Sequence, residues 1–163
     1  MDREPARLHR LHDNLARLRL EVEVVQADAA DWHPSAPLDA VLLDAPCTAT
    51  GTIRRHPDVL RLKRPQDVAA LAAGQDRLLA AAAAILRPGG RLVYAVCSLQ
   101  PEEGAGRVAA AAGLGLRPAP FTPEELSALP RARTPEGYLR THPGLWPELG
   151  GMDGFFAARF VKA

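Results

Sequence analysis

The chain has 163 residues, 47% of them hydrophobic and 24% charged, with a net charge of +1 at pH 7. That is the composition of one ordinary globular domain, and it excludes a disordered segment or a polycation that coats nucleic acid along its whole surface. It also excludes a membrane helix, because no apolar run nears ~20 residues and the run over 69–86 is broken by Gly74, Gln75, Asp76 and Arg77.

Met1-Asp2-Arg3-Glu4-Pro5 lacks the apolar core of a secretion signal, which points to the cytoplasm and to free cysteines. Residues 4–20 predict an amphipathic helix, with Leu8, Leu11, Leu15 and Leu18 spaced by three and four. His9 and His12 lie three apart but lack a third ligand at helical spacing, so they read as surface histidines and no metal is expected. Residues 22–28 alternate and end in Asp28, predicting a strand; residues 29–38, with Pro34 and Pro37, predict a loop.

The apolar run Ala40-Val41-Leu42-Leu43 predicts a buried strand over 39–43 that ends abruptly at Asp44-Ala45-Pro46-Cys47. Pro65 opens a predicted helix to about residue 86, and Arg87-Pro88-Gly89-Gly90 supplies its stop. Residues 91–96 form a second apolar strand, ending in Cys97-Ser98. A helix then runs from Pro101 to about residue 112, where Glu102 and Glu103 read as acids favoured at a positive helix start. Beyond it the pattern predicts a short strand over 116–121, a helical turn capped by Thr122, a Pro- and Gly-rich loop and a closing strand over 155–161. Strands alternating with helices give an α/β fold, a parallel sheet with a mixed C-terminal part.

In an open α/β sheet, ligands bind at the carboxyl ends of the strands. This chain delivers an acid, Asp44, and its only two cysteines, Cys47 and Cys97, to two such ends. The bland readings are a structural disulfide or two buried thiols acting as small hydrophobes. A Cys–His hydrolase would have to recruit His56, which sits in a turn-like stretch, and a thioredoxin-type pair would need cysteines close in sequence. Covalent catalysis on a pyrimidine ring remains as the cleaner use of two thiols.

Asp44-Ala45-Pro46-Cys47-Thr48-Ala49-Thr50-Gly51, followed by Ile53-Arg54-Arg55-His56-Pro57-Asp58, resembles the signature of RNA cytosine-5 methyltransferases. Val96-Cys97-Ser98-Leu99-Gln100-Pro101-Glu102-Glu103 is similar to their second cysteine motif, and Asp153-Gly154-Phe155-Phe156 to their closing strand. The details are nearest the bacterial type B enzymes acting on 16S ribosomal RNA, and the similarity runs from about residue 2 to 162. The resemblance implies a Rossmann-like methyltransferase sheet with S-adenosylmethionine as methyl donor. It implies Cys97 as nucleophile on cytosine carbon 6, Asp44 at ring nitrogen 3, and Cys47 in removal of the carbon 5 proton. Asp28, Asp44 and Pro46 would lie near the donor, and Asp2 would grip its ribose. An RNA target would be unpaired or flipped out, with Arg54, Arg55, Arg61, Lys63 and Arg64 holding phosphates against the single acid Asp58.

The family's Pro-Gly-Gly-Lys type donor loop would lie upstream of every residue here, as would its RNA-binding domain. Pro88-Gly89-Gly90 is not that loop, since it follows a helix and precedes a strand. The expectation is therefore the C-terminal part of a catalytic domain, lacking its first two strands, which binds the donor weakly unless an N-terminal half supplies the loop. Residues 22–28 would lack neighbours and the strand over 39–43 would show an open edge. The competing expectation is an inactive fragment serving only to bind RNA or a partner.

Overall fold

The computed structural model describes residues 1–163 and is organised around two parallel strands, β1 (Leu38–Asp44) and β2 (Leu86–Val96). Between them run a single 3-10 turn, a short helix α2 (Val59–Leu62) and the long helix α3 (Pro65–Ala84), which packs on both strands. Pro65 fits the first turn of α3, where no amide partner is lost, and the Asp67 carboxylate accepts the Arg64 amide at 2.8 Å. Chain order then gives α4 (Ala105–Ala112), β3 (Leu116–Pro118), β4 (Leu139–Thr141) and β5 (Phe155–Lys162), with α1 (Pro5–Leu18) at the start.

The sheet runs β1-β2-β5-β3, and β4 pairs the remaining length of β5. Only β1 and β2 are parallel; β5 lies antiparallel to β2, β3 and β4, in register Val96↔Phe156 through Arg91↔Val161. The core gathers Leu79, Ala82, Ala83, Leu92, Tyr94, Val96, Ala111, Leu116, Phe156 and Phe160. This is the mixed α/β arrangement that the alternating elements predict.

Several boundaries differ from the sequence expectation. Residues 22–28 form no strand: the segment makes one parallel bridge, Asp2↔Gln26, and Val22 is exposed, because no strand of the sheet runs alongside it to take its hydrogen bonds. Pro88-Gly89-Gly90 does not cap α3, which stops at Ala84 with Ile85 still in right-handed helical geometry. It forms an irregularity inside β2, where register passes from Leu38↔Leu86 to Ala40↔Arg91, and Gly89 takes φ +76° there. Residues 101–104 form a turn, so α4 begins at Ala105 rather than Pro101 and Glu103 swings into the interior. Strand β4 lies inside the stretch expected to be loop. Strand β1 ends the sheet, and Leu42 on it is 74% exposed.

Candidate active site

Parallel pairing carries both cysteines to the same end of the sheet. Asp44 stands opposite Ala95, the Ala45 amide donates to the Ala95 carbonyl at 2.9 Å, and each chain then leaves its strand toward its cysteine. The two departing loops are laced together: the Gly51 amide donates to the Cys97 carbonyl at 3.0 Å and the Leu99 amide to Thr50 Oγ1 at 2.9 Å. The result sets Cys47 Sγ 3.5 Å from Cys97 Sγ, both half-buried and unlinked. A disulfide would bring the sulfurs to about 2.05 Å, so this is a thiol–thiol hydrogen bond.

That contact separates the two groups electrically. Either sulfur can donate in this contact; with Cys47 as the donor, the bond lowers the Cys97 pKa to about 7, against burial and the charge of Asp44, which both push it up. Cys47, beside that thiolate and desolvated, is held far above an ordinary thiol and stays protonated. Asp44 is exposed at the mouth of β1, paired through its backbone opposite Ala95, and its carboxylate makes no hydrogen bond or ion pair.

Beneath the sulfurs lies a buried polar cluster centred on Glu103, which is fully enclosed. Its carboxylate accepts from the Thr48 amide (2.9 Å), Thr48 Oγ1 (2.5 Å), Ser98 Oγ (2.6 Å) and Gln75 Nε2 (3.2 Å). Gln75 Nε2 also donates to the Pro46 carbonyl at 2.9 Å. Arg140 on β4 donates to the Ser98 and Leu99 carbonyls at 2.6 and 2.7 Å, bracing the second loop from the far side.

The basic stretch divides in two. Arg54 donates to the Gly150 carbonyl at 3.1 Å, and Arg55 pairs with Asp153 at 2.5 Å, holding that carboxyl below the usual carboxylate range. Asp153 is thus a second acid against this patch, remote in sequence. Arg61, Lys63 and Arg64 are exposed, and no carboxylate pairs with them. His56 is exposed and hydrogen-bonded to neither thiol, which removes the hydrolase arrangement.

Among the residues expected near a donor, Asp2 and Asp28 come together at the amino-terminal strip, where Arg3 reaches Asp28 at 3.6 Å. Neither is bonded to Asp44 or the cysteines. Both Asp2 oxygens are engaged, by the Glu4 amide at 2.9 Å and Arg7 at 2.8 Å; Asp28 Oδ1 accepts the Ala30 amide, and its Oδ2 has only the looser Arg3 contact. No group of three or more His, Cys, Asp or Glu side chains could hold a metal ion, and no helix is long and apolar enough to cross a membrane.

Reading from sequence missed Glu103, Gln75, Arg140 and Asp153 as parts of this centre. Glu103 and Asp153 both fall inside the quoted motifs, and a carboxylate five residues beyond Ser98 was the available signal.

A mixed α/β sheet of this kind has known counterparts. NSun6 from Pyrococcus horikoshii, solved with SFG, superposes with a TM-score of 0.80 at 29% identity, over 98% of this chain and 40% of that one. The class defined is the Rossmann-like methyltransferase fold. A family model described as 16S rRNA methyltransferase RsmB/F matches residues 1–161, and the chain belongs to that family. Ribosomal RNA small subunit methyltransferase B of Sodalis glossinidius is 41% identical over 167 residues, covering 99% of this chain, and that of Erwinia tasmaniensis is 42% identical over 168. The chain spans about a third of the length of these curated relatives, 35% and 36% respectively.

Proposed function

We propose that this chain is part of the catalytic domain of an S-adenosylmethionine-dependent RNA methyltransferase that modifies carbon 5 of cytosine, with 16S ribosomal RNA as substrate. The observation that carries the reading is the unlinked thiol pair at 3.5 Å beyond the carboxyl ends of two parallel strands. Carbon 5 of cytosine is too weak a nucleophile to accept a methyl group unaided. Addition of the Cys97 thiolate to carbon 6 forms a C–S bond and pushes the ring's electron pair toward carbon 5. Ring nitrogen 3 takes up a proton from solvent as Cys97 adds and donates it in a hydrogen bond to the Asp44 carboxylate, which stabilises the adduct.

S-adenosylmethionine would supply the electrophilic methyl group. Asp44, Pro46 and Asp28 would hold it; the exposed Asp44 and Asp28 carboxylates suit its ammonium and hydroxyl groups. Asp2 fits less well, since gripping a ribose requires release of Arg7. Once Cys97 is bound to carbon its charge is gone, so the main cause of the raised Cys47 pKa disappears. Cys47 can then lose its proton to solvent and, as thiolate, take the carbon 5 proton; the C–H electron pair restores the ring double bond, Cys97 leaves as thiolate, and the proton on ring nitrogen 3 returns to solvent.

Arg61, Lys63 and Arg64 carry free charge beside the site and are the groups for phosphate contact. Single-stranded RNA containing 5-azacytidine, with S-adenosylmethionine and the remaining residues of the Sodalis relative supplied, tests the reading. A covalent RNA–protein adduct absent in Cys97→Ala is expected, while Cys47→Ala on unmodified RNA should accumulate the covalent complex. No adduct under these conditions, or unhindered turnover by Cys47→Ala, rejects the assignment.

A further inference from the structure

The reaction just described leaves one buried ionisable group unused. Glu103 is 0% exposed and no cation pairs with it, yet four donors converge on its two oxygens. Burying a carboxylate is expensive unless hydrogen bonds replace its water, and apolar replacement of such a cluster is often neutral for stability. Its position in the fold therefore matters more than its strength.

Thr48 follows Cys47 and Ser98 follows Cys97, and both hydroxyls end on the same oxygen, Oε2, at 2.5 and 2.6 Å. Oε1 takes the Thr48 amide at 2.9 Å and, through Gln75, is linked to the carbonyl of Pro46 before Cys47. Tyr94, at the end of β2, donates its buried hydroxyl to the Glu103 carbonyl at 2.6 Å and so holds the acid from the sheet side. One carboxylate thus joins two loops that the chain separates by half a hundred residues.

We propose that Glu103 is the positioning residue of the thiol pair, fixing the Cys47–Cys97 sulfur separation by clamping the residue that follows each cysteine. This rests on the reading of Cys97 and Cys47 as the working thiols. An amide at this point offers one acceptor oxygen and sets an NH2 group against the other donors. The clamp would open and the thiol–thiol hydrogen bond would stretch or break.

The sign of the resulting change separates positioning from simple charge. The Glu103 charge opposes ionisation of Cys97, so removing charge alone lowers the pH at which Cys97 ionises. Loss of the clamp raises it, because Cys97 loses the donated Cys47 proton.

The test is the pH dependence of Cys97 alkylation by iodoacetamide on the 163-residue chain, read by mass spectrometry of the Cys97 peptide. The parent midpoint is expected near 7. Glu103→Gln should move it up toward the ordinary thiol value of about 8.5, and in a Cys47→Ala background the same change should add no rise. A midpoint that falls or stays in Glu103→Gln, or an equal rise in both backgrounds, overturns the proposal. Should Glu103→Gln fail to fold, Ser98→Ala removes only the Cys97-side arm; it must still raise the midpoint, and no rise is equally fatal. Alkylation requires neither donor nor RNA. A failed trapping experiment with intact Glu103 coupling would therefore reject the methyltransferase reading alone.

Discussion

Gly51 shows how little slack the site has at the level of single atoms. A Cβ at this position would lie 1.9 Å from the Gly154 carbonyl oxygen and 2.9 Å from that of Cys97, both backbone atoms that cannot rotate away. The Gly51 amide holds the Cys97 carbonyl, and its own carbonyl accepts the Gly154 amide at 2.8 Å, so any displacement reaches Cys97 directly. Gly51→Ala should cost about 1–3 kcal/mol in urea unfolding, as overpacking does, and suppress azacytidine trapping. A variant with full stability and full trapping would show that the two loops are free to separate. The glycine was visible in the sequence as the turn after Cys47, but its close contact with Gly154 was not, since the partner lies a hundred positions on.

Among the elements, β5 carries most of the sheet's integrity. It pairs β2 on one side and β3 and β4 on the other, and Phe160 stands opposite both Leu92 and Pro118 while 1% exposed. Phe160→Ala should destabilise by about 3–5 kcal/mol in urea unfolding, a large part of the 5–15 kcal/mol typical of a domain. Leu42→Ala on the open face of β1 should change stability by less than about 0.5 kcal/mol, because that side chain is already in water. A reversed ranking would mean that β1 is covered and β5 is not.

The strands with continuous apolar runs, β1, β2 and β5, were legible from composition, although β1 keeps one face open and only β2 and β5 hold fully buried residues. Residues 22–28 carry an equally good alternating pattern and still form no strand. Alternation reports a possible face, while a strand also needs a neighbour to accept its hydrogen bonds. Strand β4 was hidden for the opposite reason: Leu139, Arg140 and Thr141 have no pattern of their own and are extended only because β5 pairs them.

On the scale of the whole molecule, charge is arranged locally rather than in sum. Net charge is +1, yet the side chains of Arg61, Lys63 and Arg64 are exposed within four positions of one another and none is paired with a carboxylate. Replacing all three by Gln should lower the slope of log binding constant against log salt by about 0.7 per lost phosphate contact, or roughly 2 for three, on a single-stranded RNA oligonucleotide. An unchanged slope, measured by fluorescence anisotropy, removes these residues from the RNA surface. Arg54 and Arg55 should behave differently. They are tied to Gly150 and Asp153, so their loss loosens the junction of the first cysteine loop with the approach to β5.

Local sequence was enough to place Asp44, Cys47 and Cys97 at the carboxyl ends of two apolar strands, although the first of them, expected to be buried, has an open face at the sheet edge. Sequence sufficed because apolar runs, their breakers and the residues that follow are local features of the chain. It also carried the motifs by which the RsmB/F family is recognised. Only the tertiary structure decided that the two sulfurs lie 3.5 Å apart without a bond, that Glu103 is enclosed beneath them rather than set at a helix start, and that Arg55 is occupied by Asp153. Each depends on groups far away in sequence meeting in space. The burial of Glu103 is decided by Thr48 and Gln75 from two distant segments, and Ser98, five residues before it, is the one partner that its own neighbourhood contains.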